Sequence, residues 1–221
     1  KIVFGILMGF MLVFTSCLDD DDGYSLNNAW VGFGMVEKGN SHRIVMDNGD
    51  VLLPVAYSYP NTGYDYGSSG EDRRLKDGDR VLVNYTILDD RINDAGEVVA
   101  YLVRINSAQK VLLKGIMDIT EANKDSIGNN PLIVKEWWMT DSLLNFQLKY
   151  WGRNKVHFIN LVKQPGTLTA DGQPFELELR HNDNGDDEAI PYNAFVSFKL
   201  DSLKVPGLDS VKFVVTGTDY D

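Results

Sequence analysis

Three histidines, His42, His157 and His181, are the side chains best suited to bind a metal ion or to move protons near neutral pH. His157 shares its strand face with Ile159, and His181 shares its strand face with Leu179, so the two rings would meet if their strands are neighbours. Such a pair could supply two ligands to a metal ion, but no third ligand has suitable spacing. We therefore favour two hydrogen-bonded histidines at the edge of an apolar core, with no metal bound.

An acidic turn at 183–188, with the sequence DNGDDE, is a second candidate for a cation site. Calcium prefers carboxylate oxygens, but an EF-hand loop has glycine as its sixth residue, and this turn does not match that pattern. The Asn-Gly pair adopts positive φ readily and is typical of a tight turn. We therefore interpret the segment as a solvated hairpin tip.

The sequence contains no recognisable catalytic motif. Gly-x-Ser-x-Gly, the phosphate-binding loop and His-Glu-x-x-His are all missing from the sequence. Carboxylates are plentiful, so a pair arranged for glycoside hydrolysis stays open as an alternative. We predict a protein that is not an enzyme and that needs no cofactor.

The segment 57–70 is rich in tyrosine, glycine and serine, a composition that binding loops use for large contact area at low entropic cost. Four tyrosines here predict a binding site, and a glycan is one candidate ligand. The alternative is that the first two end a strand and the last two fill a long loop. Trp137 and Trp138 form a weaker candidate, in which one indole is expected in a core. The tyrosines are Tyr57, Tyr59, Tyr64 and Tyr66.

The apolar run 2–14 follows Lys1 and is too short for a membrane span, which needs about 20 residues. A short apolar segment with a basic start and small residues at its end is typical of a secretory signal. Two small residues precede Cys17, the only cysteine, and this arrangement resembles the lipobox of bacterial lipoproteins, although Phe14 stands where leucine is usual. The resemblance implies a diacylglycerol on Cys17, which becomes the acylated N-terminus. The alternative is an ordinary signal peptide with an incidental thiol.

Four consecutive aspartates lie shortly after Cys17. Like charges repel, so the simplest interpretation is a solvated spacer. The cluster also resembles the export signal that places some lipoproteins of diderm bacteria on the outer face of the outer membrane. We therefore expect a protein anchored to the outer membrane by lipid and exposed at the cell surface. The aspartates are Asp19, Asp20, Asp21 and Asp22.

The composition limits the possible partners. A formal net charge of −11 argues against nucleic acid, which requires a basic surface, and against docking of the protein surface on anionic lipid. Hydrophobic residues make up 43% of the chain, which is enough for packed cores. The expected partners are the membrane, through the lipid on Cys17, and an unknown protein or glycan.

Alternation of apolar and polar residues recurs along the chain, so we predict an all-β protein. Five or six short strands, the last at 111–113, favour a small closed barrel of the OB type. Later strands favour an antiparallel β-sandwich, with 156–162 as a central strand buried on both faces. The predicted segments are a signal peptide at 1–16, a lipidated acidic tether at 17–28, an OB-like barrel at 29–116 and a β-sandwich at 117–221.

Several motifs of the second half resemble the NigD-like lipoproteins. The resemblance implies a lipoprotein signal, an N-terminal OB-like domain and a C-terminal β-sandwich, and it implies no catalytic residues. The name of the family comes from a bacteriocin locus, where an immunity role was proposed, so the implied partner is another protein. The motifs are GNNPLIV at 128–134, WW at 137–138, DSLLNF at 141–146, HFINLV at 157–162, LELRHN at 177–182 and FVSFKL at 195–200.

Overall fold

A computed structural model of the chain describes residues 26–38, 42–58 and 75–220. Within these ranges the protein is built almost entirely from β-strands, which confirms the all-β prediction. None of the helices found there is long and apolar enough to cross a membrane. Eight predicted site residues lie outside these ranges, namely Cys17, Asp19, Asp20, Asp21, Asp22, Tyr59, Tyr64 and Tyr66.

The first domain is a closed five-stranded barrel. Its strands are β1 (Trp30–Lys38), β2 (His42–Met46), β3 (Val51–Tyr57), β4 (Arg80–Ile92) and β5 (Val98–Lys110). They pair in the order β1-β2-β3-β5-β4, and β4 closes the barrel on β1. β3 and β5 pair in parallel. This closed five-stranded arrangement confirms the predicted OB-like barrel.

Alternation along the strands builds the barrel core. Val81, Val83 and Val103 are fully buried, because residues two apart point to the same face of a strand. The residues 43–55 form a hairpin, since β2 and β3 pair in antiparallel fashion around a turn with Gly49 at a φ of 91°.

The second domain is a β-sandwich of two four-stranded sheets. Its strands are β6 (Leu112–Gly115), β7 (Met117–Asp118), β8 (Ile133–Met139), β9 (Leu143–Gly152), β10 (Phe158–Lys163), β11 (Phe175–Asn182), β12 (Ile190–Lys199) and β13 (Phe213–Gly217). One sheet has the order β13-β11-β10-β7, and the other has the order β6-β12-β9-β8. The predicted sandwich is confirmed, although β6, β7 and β13 each pair in parallel with a neighbour.

The two sheets of the sandwich share one apolar core. Leu148 and Phe198 of one sheet and Leu161 and Leu177 of the other have no exposed surface. Phe146 and Phe198, on the neighbouring strands β9 and β12 of one sheet, pack edge to face within this core, with ring centroids 6.1 Å apart.

β10 is central in its sheet, and its middle is buried on both faces, as the apolar run 156–162 predicted, but the strand begins only at Phe158 and Val156 is exposed. Its four residues from Ile159 to Val162 are all buried. A short helix, α1 (Lys124–Ile127), packs against β10 and β11, and its Ile127 is buried. This cover explains why the strand lacks a polar, solvated face.

One strand lies in a different domain from the one predicted. The pattern places a strand at 111–113 in the barrel, but β6 pairs with β12, with Leu112 opposite Val196, and is an edge strand of the sandwich. The N–H group of Val111 donates to the Arg80 carbonyl (2.8 Å), so the chain passes from β5 into β6 at the junction of the two domains. A short apolar run does not specify which sheet a strand joins.

Arg80 connects the barrel to the sandwich. Its side chain is fully buried, and its guanidinium donates to both carboxylate oxygens of Asp47, at 2.5 and 2.6 Å. It also donates to Asn145 Oδ1 (3.0 Å) and to Ser197 Oγ (3.1 Å), which lie opposite each other on β9 and β12. The indole N–H of Trp138 donates to Asp47 from β8 (3.1 Å). Groups from both domains thus satisfy one buried cation and fix the domains relative to each other.

Aromatic rings surround this ion pair. The Phe33 ring centroid lies 5.0 Å from those of Trp138 and Phe195, and the Arg80 guanidinium lies 5.4 Å from the Phe33 centroid. These rings exclude water, so the guanidinium depends on its protein partners for hydrogen bonds.

Candidate functional site

The sandwich is open along one side, between the edge strands β8 and β13. These strands end their two sheets on the same side, and an apolar groove of about 640 Å³ lies between them. Trp137 (62% exposed) and Met139 (50% exposed) stand in this groove, and Leu144 lies at its base. The wall formed by β13 includes Phe213 and Val215.

The exposed side chains of the groove occupy core positions of β8. Trp137 pairs with Phe146, and Met139 pairs with Leu144, so these side chains point to the inner face of the sandwich. Trp138 points the other way, toward the barrel. Inner-face side chains are normally covered by the facing sheet, but that sheet ends at β13. The groove is therefore core-type surface without a covering strand, and exposed apolar surface of this kind marks interaction sites.

The two strands beside the groove are tied together at one end. The N–H group of Leu132, just before β8, donates to the carbonyl of Thr218, just after β13 (3.0 Å). The Thr218 hydroxyl donates to Asn129 Oδ1 (2.9 Å), and the Tyr220 ring packs on Trp151 with centroids 4.8 Å apart. These contacts fix the spacing of β8 and β13, so the groove is part of the fold.

His157, directly before β10, contacts His181 of the neighbouring strand β11, as their shared parity predicts. Nδ1 of His157 lies 2.8 Å from Nε2 of His181. The Pro131 carbonyl, 3.0 Å from Nδ1 of His181, can only accept a hydrogen bond, so His181 donates there and accepts from His157. The Tyr150 ring stacks on His157, with centroids 4.7 Å apart. The pair therefore forms part of a packed edge of the sandwich.

This arrangement does not suit a metal ion. The two ring nitrogens that face each other share one hydrogen bond, and at 2.8 Å they leave no room for an ion between them. In the described ranges, no three His, Cys, Asp or Glu side chains are grouped so that they could hold a metal. We therefore assign His157 and His181 a structural role.

The position of Asp186 differs from our interpretation of the acidic turn as a solvated hairpin tip. Its side chain is 3% exposed and accepts hydrogen bonds from the backbone N–H groups of 153–155, at 2.6, 3.0 and 3.1 Å. Its Oδ2 also lies 3.3 Å from Nε2 of His157. Asn184 and Gly185 form the predicted turn, with φ of 57° and 63°. The prediction of a solvated tip is nevertheless wrong for Asp186, because its carboxylate points inward and accepts hydrogen bonds from the backbone N–H groups of 153–155.

Hydrogen bonds and burial shift the pKa values of two side chains in this cluster. Burial, assisted by the neighbouring His157, lowers the pKa of His181, although the bond to a backbone carbonyl acts in the opposite direction. Removal from water raises the pKa of Asp186, but the N–H groups of 153–155 and the His157 ring outweigh this effect and hold that pKa well below its usual range. Both side chains therefore take up protons less readily in the folded chain than in the unfolded chain.

We expect the melting temperature to decrease as the pH is lowered from about 7.5 to about 5.5. A group whose pKa is lowered by folding stabilises the fold only above its unfolded pKa, which is about 6.5 for histidine. His181→Asn keeps a donor for Pro131 but cannot titrate, so its melting temperature should depend less on pH over this range. Circular dichroism melts of both proteins provide the measurement. Equal pH dependence in the two would contradict the role assigned to His181.

The structure places the remaining predicted site residues as follows. Tyr57 ends β3 with half of its surface exposed, and burial of the rest raises the pKa of its hydroxyl. Trp138 is partly buried at the domain junction and not in a core, whereas Trp137 is exposed. The other three tyrosines, Cys17 and the four aspartates lie outside the described residues. The groove was not predicted, because its existence depends on which strands end the sheets.

Residues 115–220 match the family model described as the NigD-like C-terminal beta sandwich domain. The match begins at the last residue of β6 and extends past β13. The chain belongs to the NigD-like family. One NigD-like motif now has a structural explanation, because the N–H group of Asn130 donates to the His181 carbonyl (2.8 Å), and the next residue, Pro131, accepts from the His181 ring.

Three solved structures share the fold across most of this NigD-like chain. A protein of unknown function from Bacteroides vulgatus is 31% identical, with a TM-score of 0.62 over 79% of this chain and 77% of that chain. A protein from Parabacteroides distasonis, described as toxin-related, is 28% identical, with a TM-score of 0.63 over 85% and 86%. A NigD-like immunity protein from Bacteroides caccae is 19% identical, with a TM-score of 0.62 over 90% and 89%. No curated protein matches the sequence.

Proposed function

We propose that this NigD-like chain is a lipid-anchored protein, exposed on the bacterial outer membrane, that binds another protein and catalyses no reaction. The observation that carries the proposal is the groove between β8 and β13, where core-type side chains are exposed. The solved protein from Bacteroides caccae is described as an immunity protein, and the one from Parabacteroides distasonis as toxin-related. An immunity-like role, in which the groove binds a protein toxin, agrees with both descriptions.

An extended segment of the partner suits this groove best. The edge of a sheet offers backbone N–H and C=O groups to an added strand, and β8 and β13 each end a sheet. Exposed tryptophan is also the side chain most often found at energetic hot spots of protein interfaces. A partner strand between β8 and β13 would cover Trp137 and Met139 and would complete the sandwich.

Replacing Trp137 with glutamate is expected to weaken binding of the native partner about thirtyfold or more, because a hot-spot side chain contributes about 2 kcal/mol or more. The partner is first recovered with wild-type protein from the envelope of the source bacterium, and both affinities are then measured with purified components. Val156→Glu adds the same charge at a position that is 67% exposed and outside the groove lining, and it should bind like wild type. Equal affinity of Trp137→Glu and wild type would refute the groove as the binding site.

The anchoring part of the proposal depends on the sequence around Cys17. Because the chain has no second cysteine, cells grown with labelled palmitate should label the wild type and leave Cys17→Ala unlabelled. Replacing Asp19, Asp20, Asp21 and Asp22 with alanine should keep the label but protect the protein from protease added to intact cells. Labelling of Cys17→Ala at the wild-type level would overturn the lipid anchor.

Glycan binding by the barrel is a second proposal. Tyr57 is half exposed at the point where β3 leads into the tyrosine-rich segment 57–70. OB-folds bind oligosaccharides, and an exposed tyrosine offers a flat apolar face with a polar tip. This function would use the barrel and leave the groove of the sandwich available to a protein partner.

A further inference from the structure

The outer face of the barrel carries a group of polar side chains on β4 and β5. Ile105 and Ala108 of β5 both lie in the barrel core, although they are three residues apart and not two. A β-bulge between β4 and β5 causes this spacing, and it places both Asn106 and Ser107 on the outer face. Bulges re-aim side chains in this way beside functional sites. The bulge therefore adds a polar side chain to a face that already carries others.

Asn106 is the centre of a hydrogen-bond network on this face. Its Oδ1 accepts from Nε of Arg104 (3.3 Å) and from the hydroxyl of Ser58 (3.1 Å). Its Nδ2 donates to Oδ1 of Asn84 (2.9 Å) and to Oγ1 of Thr86 (3.0 Å). Thr86 lies opposite Arg104 and is 2% exposed, so the network is anchored on a buried side chain. We call these five residues the Asn106 cluster.

The orientation of the Asn106 amide decides which groups of the cluster remain available. Nε of Arg104 can only donate, so the amide oxygen of Asn106 faces Arg104, and the amide nitrogen of Asn106 uses the oxygen of Asn84. Nδ2 of Asn84 and the two terminal nitrogens of Arg104 then have no acceptor among the described residues. The available groups of both side chains are therefore donors.

Arg104 also lacks a counter-ion. No Asp or Glu of the described ranges forms an ion pair with it, and the register places the uncharged Ala56 and Thr86 on its two sides. A guanidinium group matches the two oxygens of a carboxylate with parallel hydrogen bonds. On the far side of Asn84, Val31 of β1 lies opposite it and is 64% exposed. The charged fork thus lies on a face that also offers a neutral donor and an apolar surface.

We infer that the Asn106 cluster binds the carboxylate of an acidic sugar, such as a uronic acid. The terminal nitrogens of Arg104 bind the two carboxylate oxygens, and Nδ2 of Asn84 donates to a hydroxyl or ring oxygen of the sugar. A sugar acid is rich in acceptors, which suits a site whose available groups are donors. Tyr57 pairs with the inward-facing Ile105, so it is not part of this site. The inference therefore goes beyond both proposed functions.

The test is a titration of ¹⁵N-labelled protein with glucuronate, in which the side-chain signals of Arg104 Nε and Asn84 Nδ2 are followed. Glucuronamide keeps the sugar without the charge, and acetate keeps the carboxylate without the sugar. Chloride holds the ionic strength constant in all three titrations. We expect saturable shifts with glucuronate, and binding at least about tenfold weaker for glucuronamide and for acetate, because each lacks part of the hydrogen bonding.

Three results of these titrations would overturn the inference. Glucuronamide binding as tightly as glucuronate would show that the charge is not recognised. Acetate binding as tightly as glucuronate would show that the sugar is not recognised. The absence of saturable shifts with glucuronate would show that this face does not bind a sugar acid.

Arg104→Gln should weaken the binding of glucuronate about tenfold or more, because it removes the charge-assisted hydrogen bonds. Arg104 is only half-buried and lies outside the core, so this variant should fold, and a circular dichroism melt verifies it. Asn84→Asp keeps the shape of the side chain but adds a negative charge to the cluster, so it should abolish binding.

The matched control is Arg91→Gln, which removes the same charge from an exposed position near the end of β4. Arg91 is not part of the Asn106 cluster, so this variant should bind glucuronate like wild type. Wild-type affinity in Arg104→Gln, or an equal loss in Arg91→Gln, would contradict the assignment of the site to Arg104.

Discussion

Replacing Asp47 with alanine is expected to lower the free energy of unfolding by about 3 to 5 kcal/mol, the usual result of removing one partner from a buried ion pair. The Arg80 side chain has no exposed surface, and both of its shortest hydrogen bonds go to Asp47. Asn145 and Ser197 would still bind the guanidinium, but neither carries a charge. The buried cation would then lack a counter-ion at the junction of the two domains.

Urea denaturation followed by circular dichroism measures this effect. Asp94→Ala, in the exposed turn between β4 and β5, removes the same charge from the surface and should change stability by less than about 0.5 kcal/mol. Adding Arg80→Met to Asp47→Ala should recover much of the loss, because an apolar side chain needs no counter-charge. A loss in Asp47→Ala no larger than in Asp94→Ala would show that this ion pair does not hold the domains together.

Gly128→Ala is expected to lower the stability of the sandwich by about 3 kcal/mol or more, because backbone strain and steric overlap add at this position. Gly128 follows α1 with φ of 72° and ψ of −178°, a backbone region that essentially only glycine adopts. A Cβ atom there would lie 2.7 Å from Asn182 Cβ and 2.8 Å from the His181 carbonyl oxygen. Neither neighbour is the end of a flexible side chain, so β11 itself would have to move.

Gly49→Ala is the matched control for Gly128→Ala. Gly49 also has a positive φ, of 91°, but a Cβ atom there would meet nothing within 4 Å. This variant should therefore lose only about 1 kcal/mol, from backbone strain alone. Thermal melts of the two variants and wild type compare them directly, and an equal loss in both would contradict the close contact between Gly128 and β11.

Much of the strand content follows from the sequence, because a strand with one buried face must alternate. β11 shows this clearly, since Phe175, Leu177, Leu179 and His181 are buried while the residues between them are not. The same parity brings His181 to His157. Parity does not determine the order of strands in a sheet. For this reason the pattern assigns the strand at 111–113 to the barrel, although it belongs to the sandwich.

The junction between the domains shows a second limit of sequence patterns. Arg80 and Asn145 stand at positions that alternate with apolar residues, so their pattern indicates solvated faces, yet both are buried. The barrel and the sandwich cover these faces of each other. A polar residue in an alternating strand thus marks the face away from its own core, and only the assembled domains show whether water or protein covers that face.

The groove between β8 and β13 shows the opposite case, in which apolar residues with the parity of a core are exposed. Trp137 and Met139 have the inward parity of core residues, but they are exposed because the facing sheet ends before it reaches them. Asp186 was also missed, because its role depends on backbone donors about 30 residues earlier in the chain. In both places the deciding feature is a contact between distant segments, which local residue patterns do not encode.

The proposal that a partner occupies this groove is tested most directly by photo-crosslinking in the source bacterium. Benzoylphenylalanine is placed at Trp137 in one strain and at Val156 in another, with the native N-terminus kept in both. We predict one discrete, light-dependent adduct from position 137 and none from position 156. No adduct from position 137, or the same adduct from both positions, would contradict a partner bound between β8 and β13.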